Sequence, residues 1–163
     1  MEEMDSVIEL DSISMEIWEK MAKEGSDAVI EVNTRGVSMW PLLRSKNDGV
    51  KIIYPRRDLA VGDFVVFHRS DGTEIAHRVC WLDAQYVQTI GDNCSSKDKK
   101  ITRDKVFGLV TDVRRRGHWI HVETPFWRFY GRFMLWSNPV RMFIRDKMYR
   151  PLRRLARRII KGK

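Results

Sequence analysis

From residue 28 to about residue 122 the chain is written in short β-rich runs: AVIEV, VKIIY, DFVVFHR, EIAHRVCWL, QYVQTI, VFGLVTDV and HWIHVE. Turn residues separate them, at KNDG, Pro55, Gly62-Asp63, SDGT, GDNCSS and Arg116-Gly117. Runs this short and regularly spaced, rich in β-branched and aromatic residues, leave a sheet or a barrel as the expected architecture. No internal repeat and no low-complexity linker divides the chain, and 163 residues suit one domain with a real core. The fold class expected is therefore mainly β.

Different textures flank the β region. Residues 11–24 carry Ile13, Ile17, Trp18 and Met21 at helical spacing, with Asp11 or Ser12 as the N-cap and Gly25 as the stop. Pro125 closes the β region, and the segment FWRFYGRFMLW that follows is aromatic and basic. Asn138-Pro139 is expected to break it from a last helix over 150–161, where Leu152, Leu155, Ala156, Ile159 and Ile160 share one face. The expected organisation is an N-terminal helical segment (1–27), a β domain (28–124), and an aromatic, basic helical tail (125–163).

Charge follows the same division. Residues 128–163 hold twelve Lys and Arg and one acid, Asp146, whereas residues 1–127 hold 18 basic and 21 acidic residues. The net charge of +8 is thus the tail's, and anionic partners are questions about the tail. A hydrophobic fraction of 43%, with six Trp and seven Phe, excludes a disordered chain. No stretch reaches the length of a spanning helix. MEEMDSVIELDSIS is acidic where an export leader begins basic, so the expected location is the cytoplasm.

The segment Arg35-Gly36-Val37-Ser38-Met39-Trp40-Pro41-Leu42 suggests a bent backbone that projects Ser38 from a loop. Serine is a poor nucleophile until a base accepts its proton. His68, His77, His118, His121 and several lysines are candidates, and a serine in such a loop is more often a plain turn residue. Two further signals come in order. Ile75-Ala76-His77-Arg78-Val79 sets a histidine in an apolar run, and Ile90-Gly91-Asp92-Asn93, with Asp98 six residues past Asp92, forms an acceptor-rich turn. A strand histidine facing a loop serine, with a carboxylate fixing its tautomer, is a Ser–His–Asp arrangement defined by roles rather than order.

Four blocks, GVSMWPLL (36–43), VGDFVVFH (61–68), IAHRV (75–79) and GDN…D (91–98), resemble the boxes of type I signal peptidases. That family belongs with the self-cleaving SOS-repressor and phage-repressor peptidases. The resemblance spans about residues 35–112 and ends at Phe107-Gly108-Leu109-Val110, similar to the family's late glycine strand. It implies a signal-peptidase-like β-barrel or β-ribbon fold and a serine endopeptidase that cuts a leader or precursor peptide bound as an extended strand, with small residues before the cut. A histidine at position 77 resembles the endoplasmic-reticulum and archaeal branch rather than the lysine-using bacterial one. The resemblance then implies Ser38 as nucleophile and His77 as general base. Asp98 is preferred as the orienting carboxylate, and Asp92 is the second acid, holding the loop or contacting Ser38's surroundings. Some lysine-type members add a hydroxyl two residues before the serine, where this chain has Gly36, so the Ser38 N–H is the first oxyanion donor expected.

Most signal peptidases carry a transmembrane helix before the serine box, which residues 1–30 do not supply. The chain is then expected either to act on a cytoplasmic peptide or to hold an anionic membrane face through Trp127, Phe129, Tyr130, Phe133, Leu135, Trp136 and the basic helix. The alternative function is a catalytically degenerate protein of this fold that binds peptide or membrane. Nucleic acid is disfavoured: no helix-turn-helix precedes the peptidase-like region. No cofactor is expected, and no metal either, because His68, His77, Cys80 and Cys94 match no common zinc spacing and strand alternation sends His77 and Cys80 to opposite faces. A Cys80–Cys94 disulfide is conceivable, but free thiols are expected.

Overall fold

The computed structural model describes residues 7–9, 12–44, 48–149 and 151. Their order is β1 (Val7–Glu9), α1 (Ser12–Lys23), β2 (Ile30–Arg35), β3 (Gly49–Ile53), β4 (Phe64–His68), β5 (Glu74–Leu82), β6 (Tyr86–Ile90), β7 (Ile101–Thr102), β8 (Val106–Arg115), β9 (His118–His121) and α2 (Pro125–Ile144), with a π-helical turn over Arg145–Tyr149. The expected helix over 150–161 lies outside the described residues. The protein is mainly β, with one helix before most of the sheet and one after it.

All the strands join one antiparallel sheet in the order β1-β2-β3-β8-β4-β5-β6-β7, with β9 on β8. β8 is long enough to be shared: β3 lines one edge, and β4 then β9 line the other. Val7 of β1 pairs with both Arg35 of β2 and Ile75 of β5, so the pairings run round six strands and return to β1. The segment 1–27, expected as helical, therefore also supplies a strand. Three residues carry no alternation long enough to be read.

α1 ends as the sequence requires. Gly25 takes φ +108°, Ser26 N–H donates to the Met21 carbonyl at 3.0 Å, and Gly25 N–H donates to that of Ala22 at 3.3 Å. That is a Schellman closure, for which glycine is the favoured left-handed residue. The buried face of α1 is Met15, Trp18 and Ala22, while Ile17 and Met21, which share the helical spacing, are exposed. Trp18 fixes this rotation: it packs edge-on to Phe107 and donates its indole N–H to the Ala28 carbonyl.

One core cluster joins α1 to Val32, Val50, Ile52, Val66, Phe107 and Val110. A second contains Val65, Phe67, Ile75, Val79 and Leu109. Arg57 bridges Asp63 and Glu123 and so ties the β3–β4 connection to the entry of α2. Pro125 opens α2 at its first turn, where a missing N–H costs nothing. The expected break at Asn138-Pro139 does not occur, and α2 continues through it to Ile144. Pro139 removes the N–H that would reach the Leu135 carbonyl; of the carbonyls just before it, Phe133 O accepts from Ser137 Oγ at 2.7 Å and Met134 O from Arg141 Nη2 at 2.6 Å.

Candidate active site

Ser38 lies in the turn that follows β2. Gly36 has φ +94°, Trp40 N–H closes onto the Val37 carbonyl at 3.1 Å, and the Trp40–Pro41 bond is cis. Val37 and Trp40 are exposed on either side, but Ser38 itself is only 2% exposed. Its hydroxyl meets His77, which stands in β5 opposite Val65 of β4 and is 1% exposed.

Ser38 Oγ is 2.9 Å from His77 Nε2, and His77 Nδ1 is 2.6 Å from Asp98 Oδ2. An ionised carboxylate only accepts, so Nδ1 carries the proton and Nε2 is left to accept the serine O–H. Asp98 is fixed in turn. The Thr89 hydroxyl donates to Oδ2 at 2.6 Å, Arg69 Nη2 reaches Oδ1 at 3.5 Å, and the backbone N–H of Asp98 donates to the Thr89 carbonyl at 2.9 Å. Burial alone would raise the Asp98 pKa, but its bond and charge interaction with His77, the Thr89 hydroxyl and the Arg69 charge outweigh it, leaving the carboxyl below its ordinary value.

Asp92 does not touch His77. Strand alternation sends Arg78 to the face opposite His77, and there its Nε and Nη2 each donate to Asp92 at 2.8 Å while Nη1 donates to the Gly62 carbonyl. Both side chains of this bidentate pair are almost wholly buried. Asp92 therefore anchors its loop to β5, and Asp98 is the carboxylate that meets the histidine. The resemblance leaned only towards Asp98 for the histidine; in the structure the two acids have separate partners, His77 for Asp98 and Arg78 for Asp92.

The loop at 91–94 fits tightly around the pair. A Cβ on Gly91 would fall 3.0 Å from His77 Nε2, 2.9 Å from the Ser38 carbonyl and 2.6 Å from Cys94 Sγ. Asn93 N–H donates to the Ser38 carbonyl at 2.6 Å, and its side-chain amide to that of Val37 at 3.2 Å. Helix α2 holds the loop from outside. Arg141 Nη1 donates to the Asp92 carbonyl at 2.7 Å, Asn138 Nδ2 to that of Cys94 at 3.1 Å, and Arg145 to that of Asn93.

Sequence reasoning missed Thr89, Arg69 and this helix clamp. Thr89, two residues before Gly91, was the nearest available signal, but which way it points depends on β6 pairing. The other contacts span up to 52 residues and leave no local pattern. His68, another candidate base, instead contacts Glu19 at 3.0 Å and stacks on Phe107. His118 and His121 lie at the ends of β9, with His121 beside Asp112. Cys80 and Cys94 are not joined by a disulfide. Among the described residues no group of three His, Cys, Asp or Glu side chains is placed to hold a metal ion, and no helix is long and apolar enough to cross a membrane.

No protein-family model matches the chain, and neither the curated proteins nor the solved structures contain a match.

Proposed function

We propose that the protein is a serine endopeptidase of the signal-peptidase type, with Ser38 as nucleophile, His77 as general base and Asp98 as the orienting carboxylate. The observation that carries this reading is the unbroken chain Ser38 Oγ–His77 Nε2–His77 Nδ1–Asp98 Oδ2, at 2.9 Å and 2.6 Å. Hydrogen-bond reach from nucleophile to base, with the base oriented by a third group, is the geometry nucleophilic catalysis needs.

In the proposed reaction Ser38 Oγ attacks the scissile carbonyl carbon while its proton passes to His77 Nε2. The negative charge on the carbonyl oxygen develops beside the Ser38 backbone amide. His77 then gives its proton to the leaving amine as the C–N bond breaks. Water, deprotonated by the same nitrogen, hydrolyses the acyl-enzyme and restores Ser38. Asp98 stays ionised throughout and stabilises the imidazolium. The order of the four sequence blocks and the mainly β sheet support the signal-peptidase type of fold, with a precursor or leader peptide as substrate.

One observation favours a second reading. Ser38 and His77 are almost completely buried, as they would be in a degenerate member that binds a peptide or a membrane without cutting. Labelling with an acylating inhibitor of signal peptidases separates the two. A peptidase is acylated at Ser38, and the adduct is lost in Ser38→Ala and His77→Ala proteins that keep the wild-type circular dichroism. A folded wild type that stays unlabelled at neutral pH overturns the catalytic reading and leaves the binding one.

A further inference from the structure

Helix α2 presents two unlike faces. Met134, Asn138 and Met142 are buried against the body, on the side from which Asn138 and Arg141 hold the 92–94 loop. On the other side Phe126, Phe129, Phe133, Trp136, Val140 and Phe143 are exposed, Phe129 at 68% and Trp136 at 79%. Steps of three and four residues put these six on one continuous stripe. The stripe differs from the sequence expectation: Trp127 and Tyr130 turn inward and pack on the core, and Leu135 is half-buried.

We infer that this stripe docks the protein flat on an anionic lipid bilayer. Contiguous exposed apolar surface on this scale marks an interaction site, and charge identifies the occupant. Arg128 and Arg132 are exposed along the flank of the stripe, Lys147 is exposed just beyond it, and residues 150–163 contain seven further Lys and Arg with no acid. Aromatic rings bordered by basic side chains match the boundary between acyl chains and acidic headgroups. A second copy is a poorer occupant, because pairing through this face would set the exposed Arg128, Arg132 and Lys147 against a face of the same charge. The stripe runs from Phe126 to Phe143, nearly the whole length of α2, as in a helix that lies in the plane of a lipid interface. Docked in this way, the helix holds the Asp92–Cys94 loop about one helix diameter, ~10 Å, from the lipid. The inference rests on the exposed face and not on catalysis, so it stands or falls apart from the peptidase reading.

The test is co-sedimentation of the full chain with phosphatidylcholine vesicles, with and without about one-third phosphatidylglycerol. The expected result is binding that needs the anionic lipid, weakens with salt, and falls about tenfold or more in the Phe129→Ser/Trp136→Ser protein. Chains brominated at depth should quench tryptophan fluorescence in the wild type and much less in Trp136→Phe, which keeps an apolar ring and avoids any folding defect. Three results would overturn the inference: no binding to either vesicle, anionic binding unchanged by the stripe substitutions, or a lipid-free dimer that those substitutions convert to monomer.

Discussion

At the scale of single residues the candidate site depends on very small clearances. Gly91 has no side chain where a methyl group would meet His77 Nε2, the Ser38 carbonyl and Cys94 Sγ. Gly91→Ala should therefore shift the loop or the imidazole, destabilising the protein by about 1–3 kcal/mol and lowering the rate of acylation at Ser38 by on the order of 10²-fold, the cost of ~1 Å of misplacement. Wild-type labelling kinetics in that variant would show the contact is relaxed at no cost. Asp98 is testable through pH as well as rate. Its carboxyl titrates below the ordinary range in the folded chain, because His77, Thr89 and Arg69 outweigh the opposing effect of burial. A lowered carboxylate pKa adds stability that is present above the unfolded value and is lost as pH falls through the folded one. The difference in thermal midpoint between wild type and Asp98→Asn should thus be widest near neutrality and close as the pH drops below about 4. Labelling should fall by about 10²–10⁴ in the same variant, since an asparagine amide can hold the wrong imidazole tautomer. A midpoint difference that stays constant with pH would show that the Asp98 carboxylate does not gain its charge stabilisation from this site.

At the scale of elements, β5 does two jobs from adjacent positions. His77 serves the serine on one face while Arg78, on the other, ties down the loop through Asp92. Taking away one partner of a buried ion pair strands a charge, at a cost of about 3–5 kcal/mol. Asp92→Asn should show that loss in denaturant unfolding, and the double variant Arg78→Met/Asp92→Leu should recover much of it, because the pair as a whole replaces little apolar stability. If the double variant is no better than the single, Arg78 is needed for its bond to the Gly62 carbonyl and not only as a counter-charge. This division of labour was half legible in the sequence. The same strand alternation that separates His77 from Cys80 also separates it from Arg78, and the six-residue spacing of Asp92 and Asp98 showed two acids in reach. Which acid went to which face depended on the path of the 91–98 loop, and that path is set by Asn93, Thr89 and the helix behind them, none of them close neighbours in a period-two or period-3.6 pattern.

At the scale of the whole molecule the sequence divides more sharply than the structure does. Turn residues and β-rich runs located most of the sheet, since each run is long enough to show its own period. The three residues of β1, the two of β7 and the passage of α2 through Pro139 were hidden, because long-range pairing and, for α2, burial of Met134, Asn138 and Met142 against the body stabilise them rather than local propensity. The shift in charge at residue 128 marks where the basic tail begins but not what the tail touches. Trp127 and Tyr130 pack on the core, and Asn138, Arg141 and Arg145 cap three successive carbonyls of the loop beside Ser38. A carbonyl inside the fold that loses its donor is left with its desolvation cost, about 1–3 kcal/mol each. Arg141→Leu removes one such donor, together with the bonds to the Met134 carbonyl and the Ser137 hydroxyl within α2, and keeps the aliphatic packing. The expected outcome is a modest fall in thermal midpoint with a larger, order-of-ten fall in Ser38 acylation, because the loop that positions the serine carbonyl is released while the sheet is untouched. Arg141→Lys should restore part of the rate by reaching the Asp92 carbonyl with a single donor. If Arg141→Leu labels as fast as wild type, α2 is an appendage after all, and the body up to residue 124 carries the site alone.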